Sequence, residues 1–165
     1  MAERIRNEAF LLIGGNMGDR LHYLREAIQK IKNSIGEITK TSSVYETAAW
    51  GIEDQAKFLN QVLVVHTSLS PKELLESILT IEEQMGRKRE VKYGPRIIDI
   101  DILFYDDEVT RSEGLTIPHP EIPNRKFVLV PLAEINPGFI HPVINKTVLE
   151  LLSLCTDKLD VYKFS

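Results

Sequence analysis

Asp99 and Asp101, in the run IIDIDIL, are the residues of this sequence best suited to chemistry. Alternate side chains of an extended strand share a face, so the two carboxylates sit together with Cα atoms about 6.6 Å apart. At an effective dielectric near 20, two unit charges about 7 Å apart repel by roughly 2 kcal/mol. Ile98, Ile100 and Ile102 take the opposite face, which marks the strand as a wall of the core. A hard divalent cation would relieve the repulsion. Mg²⁺ takes one or two protein carboxylates and completes its octahedron with water and phosphate oxygens. Two aspartates at a strand end that pair with Arg or Lys fit D-x-D equally well.

The preceding segment favours the first alternative. Arg87, Lys88, Arg89, Lys92 and Arg96 against Glu90 give residues 87–96 a charge of +4, within a chain whose total is −4. Guanidinium forks hold phosphate oxygens while metal on the carboxylates neutralises developing charge, which is the equipment of phosphoryl transfer. Gly94-Pro95 restricts the backbone just before Arg96 and presents that side chain reproducibly. The loop GGNMGD at 14–19 is neither G-x-G-x-x-G nor a P-loop, and reads as a turn with a helix cap. His119, between Pro118 and Pro120, belongs to a stiff extended loop rather than the core. Trp50 and Phe58 suit either the core or a flat stacking surface.

These residues need a scaffold. Residues 8–13 read as a buried strand. Leu21, Leu24, Ile28, Ile31 and Ile35 form one helix face behind a cap at Asp19. Stretches 37–47 and 58–67 read as strands joined by a loop. Ser70-Pro71-Lys72-Glu73 opens a second helix with a capping box, and 97–105 is a central strand. The order βαββαβ predicts an α+β, ferredoxin-like core, an antiparallel sheet with both helices on one face. A hairpin over 108–117 and helices within 124–135 and near 147–154 follow.

The 165 residues, 43% hydrophobic and 27% charged, fit a single domain over 1–165. The acidic total disfavours nucleic-acid coating, and the apolar runs are too short to cross a bilayer. A lone cysteine, Cys155, excludes an internal disulfide and suggests a reducing, cytoplasmic address.

Several separated segments together resemble the 6-hydroxymethyl-7,8-dihydropterin pyrophosphokinase family: LLIGGNMGDR, SSVYET, FLNQV, IEEQMGRKR, YGPRIIDIDIL, LTIPHP and NRKFVLVPLAEI. The resemblance implies transfer of pyrophosphate from ATP to a reduced hydroxymethylpterin, with release of AMP, by a monomer. By similarity, Asp99 and Asp101 ligate two Mg²⁺ ions, and Arg87, Arg89 and Arg96 face phosphate. Glu82, Ile102, Leu115, Thr116, His119 and Arg125 match positions around the nucleotide. Thr47, Ala48, Trp50, Phe58, Asn60 and Phe127 match the pterin pocket. The sequence departs from the family at Ala48-Ala49, where proline is usual, at Gly15, where serine is common, and at Gly114, where some members carry arginine.

Other activities fit the same elements. A small nucleotidyltransferase would use the same strand order and paired aspartates but release pyrophosphate. An RNA-binding sheet would need strand aromatics and basic residues that FLNQVLVVHT lacks. A pterin binder without turnover would show no Mg²⁺-dependent reaction.

Overall fold

The computed structural model describes residues 6–48, 56–86 and 96–164. Strand β1 (Asn7–Gly15) leads into helix α1 (Arg20–Ser34). The α1 start is fixed by Asp19, whose side chain accepts the His22 N–H at 3.1 Å. Strands β2 (Gly36–Thr41), β3 (Tyr45–Thr47) and β4 (Phe58–Thr67) follow. Helix α2 (Pro71–Gln84) opens on the expected capping box, with Ser70 and Glu73 each accepting the other's backbone N–H. Then come β5 (Asp99–Tyr105), the hairpin β6 (Thr110–Ser112) and β7 (Leu115–Ile117), α3 (Lys126–Ile135), α4 (Val148–Leu154) and β8 (Val161–Lys163).

The main sheet runs β5-β1-β4-β3-β8, with β2 also paired to β4, and every pairing is antiparallel. This is the expected ferredoxin-like arrangement. The apolar stripes of α1 (Leu24, Ala27, Ile31) and α2 (Leu74, Ile78, Ile81) cover one face, against Leu11, Ile13, Leu63 and Ile98. The opposite face is closed by α3 and α4, through Val128, Leu129, Leu132 and Val148 packed on Phe10, Leu12, Val62 and Phe104. Phe10 and Phe104 meet edge to face at 5.6 Å. Each fully buried ring contributes roughly 1.5–3 kcal/mol from lost water contact alone.

Two elements differ from expectation. The strand expected over 37–47 is interrupted at 42–44, where the Ser42 hydroxyl accepts the Val62 N–H at 2.9 Å and donates to the Ser43 carbonyl at 2.7 Å. A side chain there replaces regular ladder bonding, as short hydroxyl residues do. The second is β8, which extends the sheet beyond β3 by pairing Glu46 with Tyr162.

Glu134 on α3 ties that helix to the interrupted segment. Its carboxylate accepts the Ser43 N–H and hydroxyl, at 3.0 and 2.9 Å, and the Tyr45 hydroxyl at 2.6 Å. Burial works to raise the Glu134 pKa, but the hydrogen bonds from Tyr45 and Ser43 outweigh it and hold the carboxyl below its usual range. Burial and the same carboxylate push Tyr45 up to about 12, so its hydroxyl stays a donor. A depressed acid stabilises the fold above its unfolded pKa and loses that contribution as pH falls through the folded value. Glu134→Ala is therefore expected to cost about 1 kcal/mol at neutral pH, solvent screening included. The gap to the parent protein should close well below pH 4, as urea denaturation at the two pH values would report.

Candidate active site

Strand β5 forms an edge of the main sheet. In the ladder with β1, Asp99 stands opposite Gly14 and Asp101 opposite Leu12, so the two aspartates share the face covered by α3 and α4. Both are half-buried, while Ile98, Ile100 and Ile102 lie buried on the other face, as the period-2 reading requires. Glu82, only 3% exposed, reaches from α2 and accepts the Ile100 N–H at 2.8 Å. A buried carboxylate thus anchors the backbone between the two aspartates.

Two clefts open on this strand. The first encloses about 570 Å³, including its open mouth, and is lined by Leu12, Gly14, Thr47, Ala48, Phe58, Asn60, Arg96, Arg125 and Phe127 together with Asp99 and Asp101. The second, about 980 Å³ by the same measure, lies around the sheet edge between α2 and the β6–β7 hairpin. Its walls include Leu75, Ile78, Glu82, Ile102, Leu115, Thr116 and His119, again with Asp99 and Asp101. Among the described residues the two clefts have only the aspartate pair in common.

The residues expected around a pterin, Thr47, Ala48, Phe58, Asn60 and Phe127, therefore gather in the first cleft. Of those expected around a nucleotide, Glu82, Ile102, Leu115, Thr116 and His119 gather in the second. Arg125, expected with the nucleotide set, opens onto the first cleft beside Arg96. Its guanidinium carbon sits 5.7 Å from the centre of the Phe127 ring and its Nε 3.6 Å from Glu121. Trp50, Arg87 and Arg89 lie outside the described residues.

Arg96 is fixed at its backbone. Its N–H donates to Asn16 Oδ1 at 2.8 Å, and its carbonyl accepts the N–H groups of Asn16 and Met17. The Asn16 amide also donates to the Ala56 carbonyl at 3.0 Å, so one buried side chain braces the approaches to Arg96 and Phe58 together. The Arg96 guanidinium stands 3.7 Å from Asp99. Burial, followed by the positive charge of Arg125, holds the His119 imidazole below its ordinary pKa. Its Nδ1 accepts the Glu121 N–H at 3.1 Å, which leaves the neutral ring's proton on Nε2. Gly114, at the hairpin turn, has φ +75°, a conformation that favours glycine over any residue with a side chain.

Sequence reasoning missed Leu12 and Gly14 as cleft residues, because Gly14 looked like the start of a turn. The signal was present in the register: Gly14 pairs with Asn60 on one side and Asp99 on the other. A side chain at that position would stand between the two.

Chemically, the first cleft offers ring faces, an amide that both donates and accepts, and two guanidinium groups. The second offers apolar walls and a neutral imidazole. Comparison with known proteins places the chain in a family. Residues 10–137 match the family model of 7,8-dihydro-6-hydroxymethylpterin-pyrophosphokinase (HPPK). The chain is 50% identical over 141 residues to the 2-amino-4-hydroxy-6-hydroxymethyldihydropteridine pyrophosphokinase of Aquifex aeolicus, covering 86% of this chain and 88% of that one. It is 48% identical over 132 residues to the Bacillus subtilis protein of the same name, covering 79% of each. Among solved structures, Plasmodium falciparum HPPK-DHPS wild type with pteroate shares the fold at a TM-score of 0.74 and 21% identity, over 93% of this chain. The present chain spans 43% of the length of that solved chain. On the family match and these identities, the chain belongs to the 7,8-dihydro-6-hydroxymethylpterin-pyrophosphokinase family.

Proposed function

We propose that the protein transfers the terminal pyrophosphoryl unit of ATP to the hydroxymethyl oxygen of 6-hydroxymethyl-7,8-dihydropterin, in folate biosynthesis. One observation carries this assignment of the site: among the described residues, two chemically different clefts meet only at Asp99 and Asp101. A pterin in the first and ATP in the second would bring hydroxyl and β-phosphorus together over the aspartates. The new bond joins the pterin oxygen to the β-phosphorus. The bond from that phosphorus to the bridging α–β oxygen breaks, AMP departs, and the hydroxyl proton passes to water.

Asp99 and Asp101 fit Mg²⁺, being hard oxygen donors two in number and half-buried on one face. Among the described residues no group of three or more His, Cys, Asp or Glu side chains forms a closed site, so phosphate and water would complete the coordination. When bound there, two Mg²⁺ ions supply charge neutralisation on the phosphate oxygens. The protein's own groups do the rest. Phe58 and Phe127 hold the flat heterocycle, and the Asn60 amide both donates to and accepts from its aminopyrimidinone edge. Thr47 and Ala48 frame that edge, and the resemblance assigns Trp50 to the same ligand. Arg96, with Arg87 and Arg89, balances the charge on the transferred group. Glu82, Ile102, Leu115, Thr116 and His119 receive the nucleoside, and Arg125, which lines the first cleft with the aspartates, serves phosphate.

In the same proposal residues 1–165 act as one domain, a monomer in the cytoplasm, with no nucleic-acid or membrane partner. The chain's acidic total and lone cysteine support this, and no helix among the described residues is long and apolar enough to cross a membrane. Sedimentation at assay concentration tests the monomer.

The decisive assay supplies ATP, Mg²⁺ and the reduced hydroxymethylpterin and identifies the nucleotide released. AMP supports pyrophosphoryl transfer, and inorganic pyrophosphate with a nucleotidylated pterin overturns it. Arg96→Lys is expected to lower turnover about 10- to 100-fold with the fold intact, because a point ammonium cannot reproduce a bidentate fork. Undiminished turnover would remove Arg96 from the transition-state contacts.

A further inference from the structure

The first cleft is bounded by Thr47 at the end of β3 and by Arg125 and Phe127 at the start of α3. Neither boundary is held only by its own element. Helix α3 has no side-chain cap from Arg125, its N-cap residue. Instead Asp157, more than 30 positions further along, accepts the Lys126 N–H at 3.0 Å through Oδ2. Its other oxygen accepts the Leu159 N–H at 3.0 Å, so the carboxylate is clamped between helix and tail. Three residues on, the Asp160 carbonyl accepts the Thr47 hydroxyl at 3.0 Å, and Val161 pairs with Thr47 in the β3–β8 ladder. At the end of the tail Phe164 donates its N–H to the Val44 carbonyl and lies 5.6 Å beneath the Arg20 guanidinium.

We propose that residues 157–164 act as a strap that sets the separation of the two walls of this cleft, with Asp157 as a positioning residue for Arg125 and Phe127. The strap lies beyond the family match, which ends at residue 137, so the inference rests on this chain's own contacts. It also rests on the first cleft being the pterin cleft. A carboxylate at the first N–H of a helix satisfies an orphan donor and complements the helix dipole. Losing it releases the turn that carries the aromatic wall, and small displacements of such walls are costly to a bound ring. Among the described residues, the strap hydrogen-bonds Thr47 and Lys126 beside the first cleft, and no strap residue lines the second.

The test compares the parent protein with Asp157→Ala and Asp157→Asn, the latter keeping an oxygen able to accept one N–H. Affinities for 6-hydroxymethylpterin in the presence of a non-hydrolysable ATP analogue, and for the analogue alone, are measured beside amide exchange at residues 126–128. In Asp157→Ala the exchange should quicken and pterin affinity fall about tenfold, with analogue affinity within about twofold of the parent. Asp157→Asn should recover most of the pterin affinity. Equal losses for both ligands, or unchanged pterin affinity despite faster exchange, overturn the strap. A parent protein that binds the analogue but no pterin overturns the cleft assignment itself, a result distinct from either.

Discussion

Asp99→Ala and Asp101→Ala are each expected to lower turnover by about a thousandfold or more while the protein stays folded. Among the described residues the two carboxylates are the only lining the clefts share, so their removal acts at the junction where bonds would change. A thousandfold corresponds to about 4 kcal/mol of lost transition-state stabilisation, a size expected for a metal ligand in phosphoryl transfer. Stability should move little. Two half-buried like charges repel by roughly 2 kcal/mol at an effective dielectric near 20, and removing either relieves that cost. Asp99→Ala also gives up the 3.7 Å contact with Arg96, so it should be the less stable of the two. AMP release at saturating Mg²⁺, measured beside urea denaturation, separates the effects. Turnover near the parent value in both variants would reject the aspartates as the centre of the chemistry.

That junction was legible in the sequence because strand geometry is nearly a two-state choice: in IIDIDIL, burying the isoleucines forces both aspartates to the other face. The α2 start was equally plain, since Ser70, Pro71 and Glu73 each satisfy a separate requirement of a helix N-terminus. What escaped has a common physical origin in long-range pairing. Val161-Tyr162-Lys163 carries no turn signal or run of alternation, and becomes a strand only because β3 presents a free edge to it. Helix α3 is expected within 124–135, but its cap is not, because its first N–H is served by Asp157 from a distant tail. Asn16 reads as turn punctuation in GGNMGD, although it links residues 40 and 80 positions away. The resemblance implies separate nucleotide and pterin sets, but the placing of Arg125 in the first cleft rather than the second depends on walls that only the folded sheet edge brings together.

Gly14→Ala should produce the second large effect, a loss of pterin affinity on the order of a hundredfold with ATP-analogue affinity nearly unchanged. Gly14 sits in β1 between Asn60 on β4 and Asp99 on β5. A Cβ built there would collide with Asn60 Oδ1, lie 3.2 Å from Asn60 Cγ and come within 2.9 Å of the Leu59 carbonyl. The Asn60 amide must swing out of its rotamer to clear the new methyl, and the ladder-held backbone must also give slightly at the Leu59 carbonyl. Such overpacking costs typically 1–3 kcal/mol of stability. It also misplaces the one amide in the cleft assigned to the aminopyrimidinone edge, and a site built around such a group discriminates strongly when the group is lost. A double-mutant cycle with Asn60→Ala identifies the route. If the glycine acts by leaving room for that amide, Gly14→Ala adds little to the pterin-binding loss already caused by Asn60→Ala, and the two effects are far from additive. Full additivity would mean that Gly14 serves the site by another route, through the Leu59 backbone or Asp99 on the other side.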